Sequence, residues 1–376
     1  MKRVWTLVLA LCFLLSGCTQ TSAVSPFRKF KDEDAARSIS GASRKFYDEK
    51  KLTGLSVGII RDGKVAFFNF GKTAENGAPI TEDTRFEIGE LTEPITATIL
   101  ASLSLDPTVY KVYDKDNKIK FDRKDRADSY LPYDIKLEKD GTPVLLWQLA
   151  AQVSGLPYLP DNMSGSETPY ADYSQFELVE ALQRVDFQAV PGERYSASDF
   201  GYGLLGWIMG RVTGTQFDKL MQSRVLSPLG MDHTAFTLTD AQEAARAKPH
   251  TALGKEAAQR DYDVLAPSGG LKSTSHDLIR FVAGNLGELD LEWKTLISAL
   301  EETQKQYYEG DGHTVGLGFE MTQLDGNALY TQTGATGGYG GYLAFIPKTG
   351  TGVVVLCNNA TPVDELGAEV LTLLQP

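Results

Sequence analysis

Glu90 and Glu93 stand three residues apart in Phe86-Glu87-Ile88-Gly89-Glu90-Leu91-Thr92-Glu93-Pro94-Ile95-Thr96-Ala97, where a helical pattern begins. Residues at i and i+3 of a helix share a face, so both carboxyl groups would point into one space. Such a pair can work as general acid and base, hold a cation, or repel until one member takes a proton. As nucleophiles toward an amide they are poor. A carboxylate leaves far more readily than an amine, and the attack would revert. No Ser-x-x-Lys pair and no Gly-x-Ser-x-Gly elbow occurs in the chain. The four histidines, His233, His250, His276 and His313, are scattered without metal-ligand spacing, so no metal is expected and surface or loop positions are.

Six further stretches recur in a telling order. They are Gln152-Val153-Ser154-Gly155-Leu156-Pro157, Pro191-Gly192-Glu193-Arg194-Tyr195-Ser196, Ala197-Ser198-Asp199-Phe200-Gly201-Tyr202, Ser227-Pro228-Leu229-Gly230-Met231, Ser268-Gly269-Gly270-Leu271-Lys272-Ser273-Thr274 and Gln332-Thr333-Gly334. Together with the segment around Glu90, and from about Ala35 to Leu374, they make the chain resemble the class C β-lactamases and penicillin-binding-protein-like serine hydrolases. The resemblance implies a serine nucleophile at position 90 and a lysine one turn later at position 93, within hydrogen-bond reach of each other. This chain has Glu90 and Glu93 there. The family's Tyr-x-Asn motif falls on Ala197 and Asp199, and its Lys-Thr-Gly or His-x-Gly motif on Gln332, Thr333 and Gly334. Thr333 and Gly334 keep the backbone shape of that strand, whereas Gln332 lacks the charge that would meet a substrate carboxylate. All three motifs are altered, which predicts loss of acyl transfer. The neighbouring run Gly337-Gly338-Tyr339-Gly340-Gly341 reads either as room for a ligand against main chain or as a flexible turn.

If the family geometry holds, Glu90, Glu93 and Asp199 line one pocket with Gln332, Thr333 and Gly334. Two carboxylates about 6 Å apart repel by roughly 3 kcal/mol at an effective dielectric near 20, about two pKa units. One acid must then be protonated, or an arginine or lysine must enter, or the pocket must hold an external cation or amine. A drifted, solvated cleft is the plain alternative, with Glu90 favoured by the helix dipole. A divalent cation would need more oxygen ligands than three carboxylates supply. An acid/base pair running a different reaction also stays open.

The elements that must position these residues follow from the pattern. A helix is expected from about Asp32 to Lys51, then a hairpin from Leu55 to Phe70 around Arg61-Asp62-Gly63. Four more strands are expected at Val315 to Met321, Ala328 to Gln332, Tyr342 to Ile346 and Gly352 to Leu356, with a final helix from about Val363 to Leu374. Between the β-rich ends, residues 90–281 carry helical patterns such as Leu145 to Ala151, Gln175 to Arg184, Tyr202 to Val212 and Phe217 to Leu226. This predicts an α/β fold of the α+β type, β-lactamase/transpeptidase-like. Both chain ends form one antiparallel sheet with flanking helices, and a helical region is inserted.

Lys2, Arg3, the apolar run from Val4 and Leu15-Ser16-Gly17-Cys18 have the order of a lipoprotein signal; the run is too short to span a bilayer. Residues 1–17 are expected to be removed, Cys18 to be lipidated, 18–32 to tether and 33–376 to fold. Thr19 after the anchor carries no inner-membrane retention signal, which favours the outer membrane where the source has one. Losing Lys2 and Arg3 takes the formal charge of −12 further negative, and an acidic chain has little to offer phosphates, so nucleic acid is excluded as a partner. Cys357 lies in an apolar run and reads as a buried core residue. No cofactor is expected. The expected role is binding, scaffolding or regulation at the cell envelope, with a peptidoglycan-derived or amine-bearing ligand or an envelope protein as partner. The competing roles are a hydrolase with an unrecognised nucleophile and a structural interaction module. The latter would use a surface such as the densely charged Tyr110 to Arg126, which reads as a solvated loop or hairpin.

Overall fold

The computed structural model describes residues 27–110, 119–163 and 170–375. Its two chain ends meet in one nine-stranded sheet. Across the sheet the strands run β1 (Arg28–Lys29), β3 (Lys64–Gly71), β2 (Gly54–Arg61), β9 (Thr351–Cys357), β8 (Tyr339–Ile346), β7 (Asn327–Thr336), β6 (Glu320–Leu324), β5 (His313–Val315) and β4 (Tyr308–Gly310). Only the β1–β3 pair is parallel. Asp62 and Gly63, between β2 and β3, both have positive φ, 51° and 67°, as a two-residue turn matched to strand twist requires. β8 and β9 are buried along their whole length. They therefore need a cover on each face.

The main helices, in chain order, are α1 (Glu33–Lys50), α2 (Thr92–Leu105), α3 (Asp199–Thr213), α4 (Ser275–Asn285), α5 (Lys294–Thr303) and α6 (Asp364–Leu374). The outer face is covered by α1 and α6, whose Ile39, Phe46, Leu366 and Leu374 pack on Val57, Ile59, Val353 and Val355. Cys357 belongs to that cluster, and burial pushes its thiol up to about 11. It is an inert core residue, as its setting in an apolar strand implied. The inner face carries the helical region, with α2 at its centre and buried from Thr92 to Leu103. Thr92, Ile95, Thr96, Thr98 and Ile99 are weak helix formers, so packing holds this helix rather than propensity. Thr96 Oγ1 also donates to Pro267 O at 2.8 Å, and Thr98 Oγ1 to Pro94 O at 2.7 Å.

Several elements differ from their sequence expectation. Val315 to Met321 is two strands, because Gly318 at φ 77° turns the chain beneath Pro94. The strand β4 was missed, since Tyr308-Glu309-Gly310 has too little apolar character to signal one. Gly340 and Gly341 are buried in β8, so only Gly337 and Gly338 remain as turn. Phe217 to Leu226 is α-helical only to Met221 and then widens into a π turn over Gln222–Leu226. Of Tyr110 to Arg126, residues 111–118 lie outside the described residues; Tyr110 bridges Lys120 antiparallel. That segment is not wholly solvated, for Phe121 is buried and Arg123 pairs with Glu302 at 2.8 Å. The expected signal and Cys18 also lie outside the described residues. No described helix is long and apolar enough to cross a membrane.

Candidate functional site

Two glycines set the closest approach in the site. A Cβ on Gly334 would meet Ile88 O at 2.1 Å, and one on Gly89, at φ 52°, would meet Ala335 N at 2.7 Å. With neither present, β7 runs directly against the 3-10 turn Gly89–Leu91 that feeds α2. Glu90 sits in that turn and Glu93 in the first turn of the helix. Ala335 and Gln332 reach them from the strand.

Glu90 is held by main chain. Ala335 N donates to Glu90 Oε2 at 2.8 Å, and the residue's own N–H also favours its charged form. Burial outweighs both and raises this carboxyl above its ordinary range. Glu93 is held by two amides. Gln152 Nε2 donates to Oε1 at 2.8 Å and Gln332 Nε2 to Oε2 at 3.0 Å. The residue is only 4 % exposed, and its pKa is driven well up by burial first, then by Glu90 and Asp199. The Gln332 amide is thus spent inside the protein.

Asp199 opens α3, whose N-cap is Ser198: Gly201 N donates to Ser198 Oγ at 2.9 Å. Burial, with Glu90 second, pushes Asp199 up to about 6, while Ser268, Tyr170 and Arg260 pull the other way. Tyr170 OH donates to Asp199 Oδ2 at a long 3.4 Å, and the Arg260 guanidinium lies 4.8 Å above the Tyr170 ring. Arg260 acts on Glu90 and Asp199 through space. Among the described residues, no salt bridge joins a cation to Glu90, Glu93 or Asp199.

Glu90, Glu93, Ala197, Asp199, Gln332, Thr333 and Gly334 all line one cleft of about 650 Å³. Ala197 presents no hydroxyl to it. Three more side chains contribute, Gln152, Tyr158 and Tyr195. Gln152, at φ 59°, bonds Glu93 with its amide nitrogen and accepts from Ser198 N at 2.8 Å with its oxygen, so it ties the helix start to the loop carrying Ala197. Its stretch was noticed but its side chain was not. Tyr158 and Tyr195 add aromatic walls, and Tyr195 stacks on His313, whose Nδ1 lies 2.9 Å from Glu320 Oε1. The histidines are also less scattered than their spacing implies. His250 is buried beside Asn358 O, and His233 and His276 come together with Asp83.

Comparison with known proteins agrees with this architecture. The family model described as Beta-lactamase matches residues 36–375. A β-lactamase of Pseudomonas fluorescens is 29 % identical over 361 residues, covering 88 % of this chain and 95 % of the relative. One from Escherichia coli (strain K12) is 27 % identical, covering 84 % and 86 %. Among solved structures, a β-lactamase/D-alanine carboxypeptidase from Pseudomonas syringae superposes with a TM-score of 0.77 at 25 % identity, covering 91 % of this chain and all of that one. A class C β-lactamase gives 0.79 at 22 %, covering 92 % and 98 %. With the matched model spanning nearly the whole chain, this protein belongs to the β-lactamase family.

Proposed function

We propose that this chain is a non-acylating member of its family, a cell-envelope lipoprotein whose cleft binds an amine-bearing ligand. The observation that carries the reading is the bond from Ala335 N to Glu90 Oε2. Acyl transfer needs a nucleophile at the helix start and main-chain donors free to meet the oxyanion that forms beside it. Here a carboxylate takes both places. The position of the base holds Glu93, whose oxygens are each engaged by a glutamine amide.

What the cleft offers a ligand is negative charge with little internal compensation. An ammonium group lying among Glu90, Glu93 and Asp199 would supply the missing counter-charge and favour their ionised forms. The relatives named β-lactamase and D-alanine carboxypeptidase suggest a peptidoglycan-derived peptide bearing a free amine. Lipidation at Cys18 would hold the domain at the envelope, in the outer membrane where there is one.

The test has two parts. Fluorescent penicillin and fluorophosphonate should leave the purified protein unlabelled, and peptides with a free side-chain amine should raise its melting temperature while their N-acetylated forms do not. A covalent adduct on any serine would return the protein to the hydrolases. Equal shifts from both peptide forms, or none, would remove the amine.

A further inference from the structure

The three residues His233, His276 and Asp83 come from distant parts of the chain. His233 follows the turn at Gly230-Met231, His276 lies in the first turn of α4, and Asp83 lies in the loop before Phe86. Their ligand atoms all fall within 4.8 Å of one another, and none of them lines the cleft. His233 Nδ1 is 3.5 Å from Asp83 Oδ1, and His276 Nδ1 is 4.0 Å from the same oxygen. The Nδ1 atoms of His233 and His276 are both buried and lack a hydrogen-bond partner. These separations are too long for good hydrogen bonds. Donors about 2 Å from a common tetrahedral centre lie about 3.3 Å apart, so these side chains would draw in by some tenths of an ångström on binding an ion.

The surrounding contacts lock that arrangement. His233 N donates to Asp277 Oδ2 at 2.8 Å, and Thr234 Oγ1 to the same oxygen at 2.7 Å. His233 O accepts from Arg85 Nε at 2.9 Å. His276 N donates to Glu82 O at 3.1 Å. The segments bearing the three ligands are therefore bonded to one another rather than merely adjacent. The His276 ring packs near Phe27 and Phe67, with centroids 5.8 and 5.9 Å away. Asp277 Oδ1 lies 3.6 Å from His276 Nδ1, in reach as a fourth donor.

We propose that Asp83, His233 and His276 form a surface site for a single Zn²⁺ ion, with Asp277 anchoring the His233 main chain behind it. Two imidazoles and a carboxylate are borderline donors that favour zinc over magnesium or calcium. Asp83 is the exposed member of the three, so water or a donor from outside the chain would complete the coordination on its side. The Arg280 guanidinium interacts with Asp277 and Asp232.

Calorimetry with ZnCl₂ on the chelator-stripped full-length protein should give one Zn²⁺ per chain. Co²⁺ should produce a visible absorption band that excess Zn²⁺ abolishes, a readout that needs no variant. His233→Ala and His276→Ala should each weaken binding by more than about 100-fold, and Asp277→Asn by about 10-fold, the range of outer-shell changes. Far-UV circular dichroism in chelator checks that each variant folds, with His233→Gln and His276→Gln as substitutes for one that does not. The cleft variant Glu90→Gln/Glu93→Gln should bind zinc as the parent does. No stoichiometric binding, no cobalt band, binding that survives loss of both histidines, or binding lost in the cleft variant would overturn the proposal.

Discussion

Ala335 and Glu90 are bound across the cleft, the strand's N–H donating to the carboxylate at 2.8 Å. The strand therefore gives one of its main-chain donors to a side chain of the same protein. A donor so placed would otherwise face the charge that develops on a carbonyl under attack. Glu90 takes that donor with its own carboxyl.

Restoring the nucleophile alone should not restore chemistry. Glu90→Ser frees the Ala335 N–H but leaves a carboxyl, not a base with a lysine's properties, at position 93 and no hydroxyl at position 197. We expect no β-lactam adduct from this variant by intact mass spectrometry. The fourfold variant Glu90→Ser/Glu93→Lys/Ala197→Tyr/Asp199→Asn should form one, mapped to position 90. Acylation of the single variant would show that the remaining carboxyls can serve as bases.

Gln152 carries more of the site than its distance in sequence suggests. Its side chain satisfies both Glu93 Oε1 and Ser198 N. Gln152→Ala would strand two buried groups, each worth about 1–3 kcal/mol unpaired. A loss of about 2–4 kcal/mol in urea unfolding is expected near neutral pH. A loss below about 1 kcal/mol would mean that water or a neighbour replaces the amide.

The visible part of this site in the sequence was the part set by local spacing. Glu90 and Glu93 follow from their separation at a helix start, and Ala197, Asp199 and Gln332 from their neighbours in short motifs. Gln152 was hidden because its role depends on a left-handed backbone conformation and on reaching two segments far away in the chain. His233, His276 and Asp83 were hidden for the same reason: no local period connects them, and only the packing of α4 against two loops does. The sheet was legible where strands are continuous and apolar, as in β8 and β9. It was not where a strand is short and polar, as in β4.

Gly334 offers a test of the close approach that places β7 on the helix start. Gly334→Ala would put a methyl group 2.1 Å from Ile88 O, a main-chain atom that cannot rotate away. Overpacking of this kind costs about 1–3 kcal/mol where side chains can adjust, and the upper end or beyond is expected here. Chemical denaturation should show it, together with loss of any ligand-induced stabilisation. An unchanged midpoint would mean that strand and turn have slack.

Asp199 gives the sharpest dependence on pH. Its carboxyl is raised from 3.8 to about 6 by burial and by Glu90, so the folded state keeps a proton that the unfolded chain has already released. The contribution of this group to stability is present in full below about pH 3.8 and is lost as pH rises through about 6. Above that, a shift of about two units corresponds to roughly 3 kcal/mol at 1.36 kcal/mol per unit. Asp199→Asn removes the charge and keeps the shape. Its unfolding midpoint should exceed that of the parent most above pH 7, and the difference should close toward pH 4. An amine-bearing ligand acts on the same charge from the other side. Its binding to the parent should tighten as pH rises through about 6, and this rise should flatten in Asp199→Asn. If the variant is instead less stable at every pH, Tyr170, Ser268 and Arg260 already satisfy the charged carboxylate, and the cleft has no charge deficit for a ligand to relieve.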